Sequence, residues 1–198
     1  MKEIVIATKN PGKLREIEES LREMEVTVLS LKDFPHLPPI EEEEGSFWEN
    51  ALKKARIVAH QTDRVTIADD SGLEVDFLQG DPGVRSARFA GEGASDEDNN
   101  RKLLQLLESV PPSQRGASFR CVIAVVDPQG RETWVEGTCR GVIGERERGE
   151  NGFGYDPLFL IPELGKTLAE LPLREKNRVS HRGKALAALK KVLRDFLP

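Results

Sequence analysis

The order of apolar runs predicts an α/β protein, a mixed sheet with flanking helices. Two observations carry this. The apolar run Glu3-Ile4-Val5-Ile6-Ala7 is followed by a helical pattern and then by the strand-like Val26-Thr27-Val28-Leu29. Further on, two long strand-like stretches, 117–126 and 132–143, are joined by Asp127-Pro128-Gln129-Gly130, a hairpin signal that puts an antiparallel portion into the sheet. At 198 residues the chain has ample core, enough for one large domain or two small lobes, and it shows no repeat or low-complexity linker.

Composition narrows the function classes. With 38% hydrophobic and 32% charged residues the chain is of soluble, globular type. Its 29 basic and 34 acidic residues give a net charge of −5, which argues against a nucleic-acid or anionic-membrane binder, since either needs a basic face. An anionic substrate stays open if basic groups gather locally. Cys121 and Cys139 lie in strand-like stretches without metal-ligand spacing, so buried free thiols in a reducing compartment are expected. Met1 leads directly into a strand and no apolar run approaches a membrane span, which points to the cytoplasm.

After the first strand, Asn10 suits a helix N-cap and Pro11 the first helical position, with Leu14, Ile17, Leu21 and Met24 at helical spacing. A helix N-terminus offers free N–H groups to phosphate, and Thr8, Asn10 and Lys13 add a hydroxyl, an amide and a cation. The spacing is not that of a P-loop, and an ordinary strand–helix turn carrying a lysine also fits. A proline-rich loop then ends in Glu41-Glu42-Glu43-Glu44-Gly45. Such a run is commonly a solvated loop. Here it leads into a helix whose Ser46 and Glu49 match a capping box, with Phe47, Ala51, Ala55 and Val58 as apolar stripe. Ser46, Asn50 and Lys54 share one face, so a polar line runs along the helix from the glutamates, one of which is a candidate second metal ligand.

Ala68-Asp69-Asp70-Ser71-Gly72 stands between the strand-like runs 65–68 and 73–77. It fits a turn, because Asp, Ser and Gly are turn formers. It equally fits a compact hard-oxygen site at a strand end. Consecutive strand residues face opposite ways, so one aspartate would face a cleft and hold a cation such as Mg²⁺ while the other braces it.

The Gly/Pro/Arg loop 80–93 suits a lid, a subunit contact or plain surface, and Ser95 with Asp98 caps a helix bearing Leu103, Leu104, Leu106 and Leu107. In 149–157, three glycines allow close backbone approach, and Phe153 and Tyr155 either stack on a planar base or join the core; Tyr155, the single tyrosine, favours ligand contact. Last, the basic run 174–183 precedes a helix with Ser180 as expected N-cap and Ala185, Leu189, Val192 and Phe196 inward. His181 lacks metal-ligand spacing and is either a base reader or a surface histidine.

Five segments recur in the order of one family: T-x-N-x-x-K, a glutamate loop before S-F-x-E-N-A-x-x-K-A, D-D-S-G-L-x-V-D, G-F-G-Y-D-P and K-N-x-x-S-H-R. The chain resembles the inosine/xanthosine triphosphate pyrophosphatases over nearly its whole length. The resemblance implies a single 1–198 domain with an elongated mixed sheet in two lobes around a nucleotide cleft, usually a homodimer. It implies Mg²⁺-dependent hydrolysis of ITP, dITP and XTP to monophosphate and pyrophosphate. Asp70 matches the metal ligand and general base, and Glu42 the second metal ligand, with Glu41 or Glu43 if a gap is allowed. Thr8, Asn10, Lys13 and Ser71 match triphosphate contacts, with Lys54 a further candidate, and Lys9, Pro11 and Gly12 of the same turn count as substrate-binding. Phe153, Gly154, Tyr155 and Asp156, with Lys176, His181 and Arg182, match the nucleoside side.

Overall fold

The computed structural model describes residues 2–40 and 45–197. In chain order it holds strand β1 (Lys2–Ile6), helix α1 (Pro11–Leu21), β2 (Val26–Ser30), α2 (Phe47–Thr62), β3 (Val65–Val75) and α3 (Asp96–Leu106). There follow β4 (Gly116–Val126), β5 (Glu132–Ile143), β6 (Phe159–Ile161), β7 (Lys166–Thr167), α4 (Leu173–Val179) and α5 (His181–Phe196). The strands form one sheet in the order β2-β1-β3-β4-β5-β6-β7. β1 runs parallel to β2 and to β3, with Ile4 opposite Val28 on one side and Val65 on the other. β6 is antiparallel to β5 and to β7, so the sheet is mixed as the sequence predicts. β4 and β5 are neighbours joined by residues 127–131, a link too short for parallel strands.

The chain divides into two compact units, each built from separate segments. The first comprises Met1–Asp70, Cys121–Gly137 and Arg182–Pro198. Its core gathers Ile4 and Ile6 of β1, Ile17 and Leu21 of α1, Ile67 of β3, Ile123 and Val125 of β4, and Ala185, Leu189 and Phe196 of α5. The second comprises Ser71–Arg120 and Thr138–His181, with Leu73, Leu103, Leu107, Phe119, Phe159 and Leu168 in its core.

The helix ends form as expected. Asn10 caps α1 with Pro11 behind it, and Ser46–Glu49 and Ser95–Asp98 close full capping boxes on α2 and α3. Both cysteines are free and buried, and burial pushes the Cys121 thiol up to about 12. Among the described residues no helix is long and apolar enough to cross a membrane.

Two sequence expectations change. Residues 69–72 are neither a turn nor a strand end but the middle of the continuous strand β3. The turn formers stay extended because partners distant in the chain satisfy them, and the Leu73 N–H finds the Ser86 hydroxyl at 2.8 Å. The basic run 174–178 is itself helical, inside α4. Ser180 ends α4 in extended conformation one residue before α5 begins, a single residue serving the junction of two helices.

Candidate active site

In the first unit the turn after β1 is built from its own side chains. The Thr8 hydroxyl accepts the Asn10 N–H at 3.2 Å, and Asn10 Oδ1 accepts the Lys13 N–H at 3.0 Å, which fixes the N-terminus of α1. Lys9 and Pro11 are exposed there, with Thr8, Gly12 and Lys13 half-buried. Lys13 turns its ammonium onto Asp69 Oδ2 at 3.1 Å.

Asp69 and Asp70 divide the work as strand alternation requires. Asp69 is fully buried, and its Oδ2 also receives Arg182 Nε and Nη2, each at 3.2 Å. Arg182 Nη1 bridges on to Glu16 Oε2 at 2.6 Å. Burial opposes charge on Asp69, yet Lys13, Arg182 and Lys54 together hold its carboxyl well below the usual carboxylate range. Burial likewise opposes the Arg182 charge, and Asp69 with Glu16 raises its pKa in return.

Asp70 is 5% exposed and receives Asn50 Nδ2 on Oδ2 at 3.0 Å. Lys54 Nζ donates to the Asp69 carbonyl at 2.7 Å and stands 3.7 Å from Asp70 Oδ1. The polar line along α2 thus ends on the second aspartate: Asn50 and Lys54, one turn apart, both reach it. Lys13, Lys54, Asp69, Asp70 and Arg182 come together; Glu42, with Glu41 and Glu43, lies outside the described residues. Glu16 is a site residue that the sequence reading does not single out, and Asn50 is placed there only on the polar line, without a contact to Asp70. Glu16 sits three positions after Lys13 on the same helix face, a spacing that signals it.

The second unit assembles another group. The Phe153 N–H donates to Asp156 Oδ2 at 2.9 Å, and the Lys176 ammonium pairs with the same oxygen. Lys176 is 1% exposed and its ammonium lies 4.8 Å from the Phe153 ring centroid. Tyr155 is packed in the unit's core, its hydroxyl donating to the Ser86 carbonyl at 2.8 Å; burial pushes its pKa up. His181 is buried and stacks on Phe119 at 4.5 Å between centroids, with 12° between the planes. Ser71, next to Asp70 on β3, is half-buried.

The glycines here serve the protein's own backbone. Gly149 lies against the Ala169 backbone, and a Cβ on Gly152, at φ +77°, would collide with the Asp156 carboxylate. Gly152→Ala is expected to cost about 1–3 kcal/mol, read by urea unfolding, because it forces a left-handed conformation and displaces the acceptor of Lys176.

Chemically, the first group offers one neutralised carboxylate, one lightly exposed carboxylate and two lysines beside a helix N-terminus. The second offers an aromatic ring, a buried lysine and a buried imidazole.

The Ham1 family model matches residues 4–192. A dITP/XTP pyrophosphatase of Geobacter sulfurreducens is 56% identical over 190 residues, 96% of each chain. One of Geobacillus kaustophilus is 53% identical over 189 residues, 96% of this chain and 93% of that one. Among solved structures, a HAM1 protein from Coxiella burnetii superposes with a TM-score of 0.88 at 44% identity, covering 98% of this chain and 100% of that one.

Proposed function

The chain belongs to the Ham1 family, and on that premise we propose that it is a nucleoside triphosphate pyrophosphatase hydrolysing ITP, dITP and XTP to the monophosphate and pyrophosphate. The observation that carries this reading is the Asp69–Asp70 pair, one carboxylate buried among cations and the other held by Asn50 beside Lys54.

Lys13, Thr8 and the N-terminus of α1 receive the triphosphate. Asp70 orients and deprotonates the water that attacks the α-phosphorus, so the α–β anhydride bond breaks and pyrophosphate leaves. Asp69 takes no part in bond making; it fixes the Lys13 ammonium by their 3.1 Å ion pair.

A divalent cation fits this donor set. Lys13, Lys54 and Arg182 are balanced by Asp69, Asp70 and Glu16, so this cluster alone brings no surplus positive charge to a polyanion. Asp70 would hold Mg²⁺, with Glu42 as the second carboxylate, leaving other positions to phosphate oxygens and water. Bound there, Mg²⁺ would neutralise charge developing on the phosphates and the leaving pyrophosphate.

Phe153, Lys176 and His181 serve the nucleoside. Hypoxanthine and xanthine present a 6-oxo acceptor where adenine presents an amino donor, and a site donating there discriminates by ~10⁴ or more.

Pyrophosphate release from ITP, dITP, XTP, GTP and ATP, with Mg²⁺ and with chelator, tests the reading. Strong turnover of the first three, abolished by chelator, is expected. Equal turnover of all five would remove the base selectivity, and no turnover would remove the activity.

A further inference from the structure

Helix α3 grips the Phe153 loop at a single residue. The Gly154 N–H donates to Asp96 Oδ2 at 2.6 Å, and the Gly154 carbonyl accepts from Asn100 Nδ2 at 3.2 Å. Asp96 and Asn100 are one turn apart, so one helix face holds both backbone groups of one glycine. Asn100 is 3% exposed, and its amide also donates to Glu147 Oε1 at 3.0 Å. The helix is well anchored for this task. Its capping box is complete, Leu103 is fully buried, and Asn99 accepts the Ala90 N–H at 2.7 Å while donating to the Ala87 carbonyl at 3.2 Å.

Gly154 stands at φ +60°, and no atom lies within 4 Å of where its Cβ would be. No steric wall imposes that conformation; hydrogen bonds do. Asp156 holds the preceding amide, and α3 holds Gly154 itself. Phe153 and Gly154 are half-buried, the part of the loop still open to a ligand, whereas Tyr155 and Asp156 are buried.

We propose that Asp96 and Asn100 are positioning residues for purine binding, preorganising the Phe153–Gly154 segment without touching the phosphates. The proposal rests on the nucleotide-hydrolase reading above. A loop held ready binds more tightly than one ordered at binding, because the ordering cost is met in advance. Loss of the clamp therefore weakens nucleoside binding and leaves the hydrolytic step alone.

The test is Asp96→Ala, with Asp96→Asn as the conservative control. Asp96 is exposed in the first turn of α3, outside the core, so the variant is expected to fold. Losing a charge-assisted hydrogen bond predicts a KM for ITP raised roughly tenfold, with kcat unchanged. Calorimetric binding of inosine monophosphate should weaken by the same factor, while binding of inorganic pyrophosphate holds. Asp96→Asn should recover most of the loss in KM, since its amide oxygen can still accept the Gly154 N–H. An unchanged KM, a fall confined to kcat, or failure of the Asn variant to rescue would overturn the clamp. A wild-type chain that neither hydrolyses ITP nor binds inosine monophosphate would overturn the nucleotide reading and the clamp with it.

Discussion

Replacing Asp70 by Asn is expected to lower kcat by roughly 10³-fold while the protein stays folded. The substitution keeps the shape of the side chain and an oxygen able to accept from Asn50, now 3.0 Å from Asp70 Oδ2. Lys54 keeps the Asp69 carbonyl at 2.7 Å, so it is not stranded. What disappears is the negative charge on which the proposed cation binding and proton abstraction depend. Activity and thermal unfolding measured on one preparation separate the two effects. An active, well-folded variant would remove Asp70 from the chemistry.

Arg182→Ala should act in the opposite manner, through stability. It would leave Asp69, fully buried, and Glu16, 2% exposed, without the guanidinium that bridges them. Breaking a buried ion pair from one side costs about 3–5 kcal/mol, read by urea unfolding. Arg182→Lys should recover only part of that, because an ammonium cannot span two carboxylates as a planar fork does. The loss depends on pH. The Asp69 carboxyl is held below its ordinary value, so its contribution is complete above pH about 4 and fades as pH falls further. A variant of wild-type stability with weakened nucleotide binding would instead return Arg182 to the nucleoside side, where the family resemblance puts it.

The elements whose signals are local were legible in the sequence. Asn10-Pro11 started α1, Ser46 and Glu49 started α2, and the polar line through Asn50 and Lys54 was visible, although its end on Asp70 was not. Residues 69–72 could not be read as mid-strand, because what lets two aspartates continue β3 lies elsewhere. Arg182 is 113 positions away from Asp69, and Glu16 is 166 positions from Arg182. No window of sequence carries such a pairing. Tyr155 sits deeper than its glycine-rich surroundings suggest: the ring fills the core and its hydroxyl meets Ser86, 69 positions back. The clamp of α3 on Gly154 spans 58 and 54 positions and was equally hidden.

The segmented make-up of the first unit bears on how the protein emerges from the ribosome. Its first segment ends at Asp70, but the helix that completes its core and the guanidinium that neutralises Asp69 belong to Arg182–Pro198. All of the second unit is translated in between. A nascent chain carrying the aspartate pair therefore lacks the scaffold that holds it until synthesis reaches α5. The ion network around Asp69 can be assembled only after translation has passed through the rest of the fold.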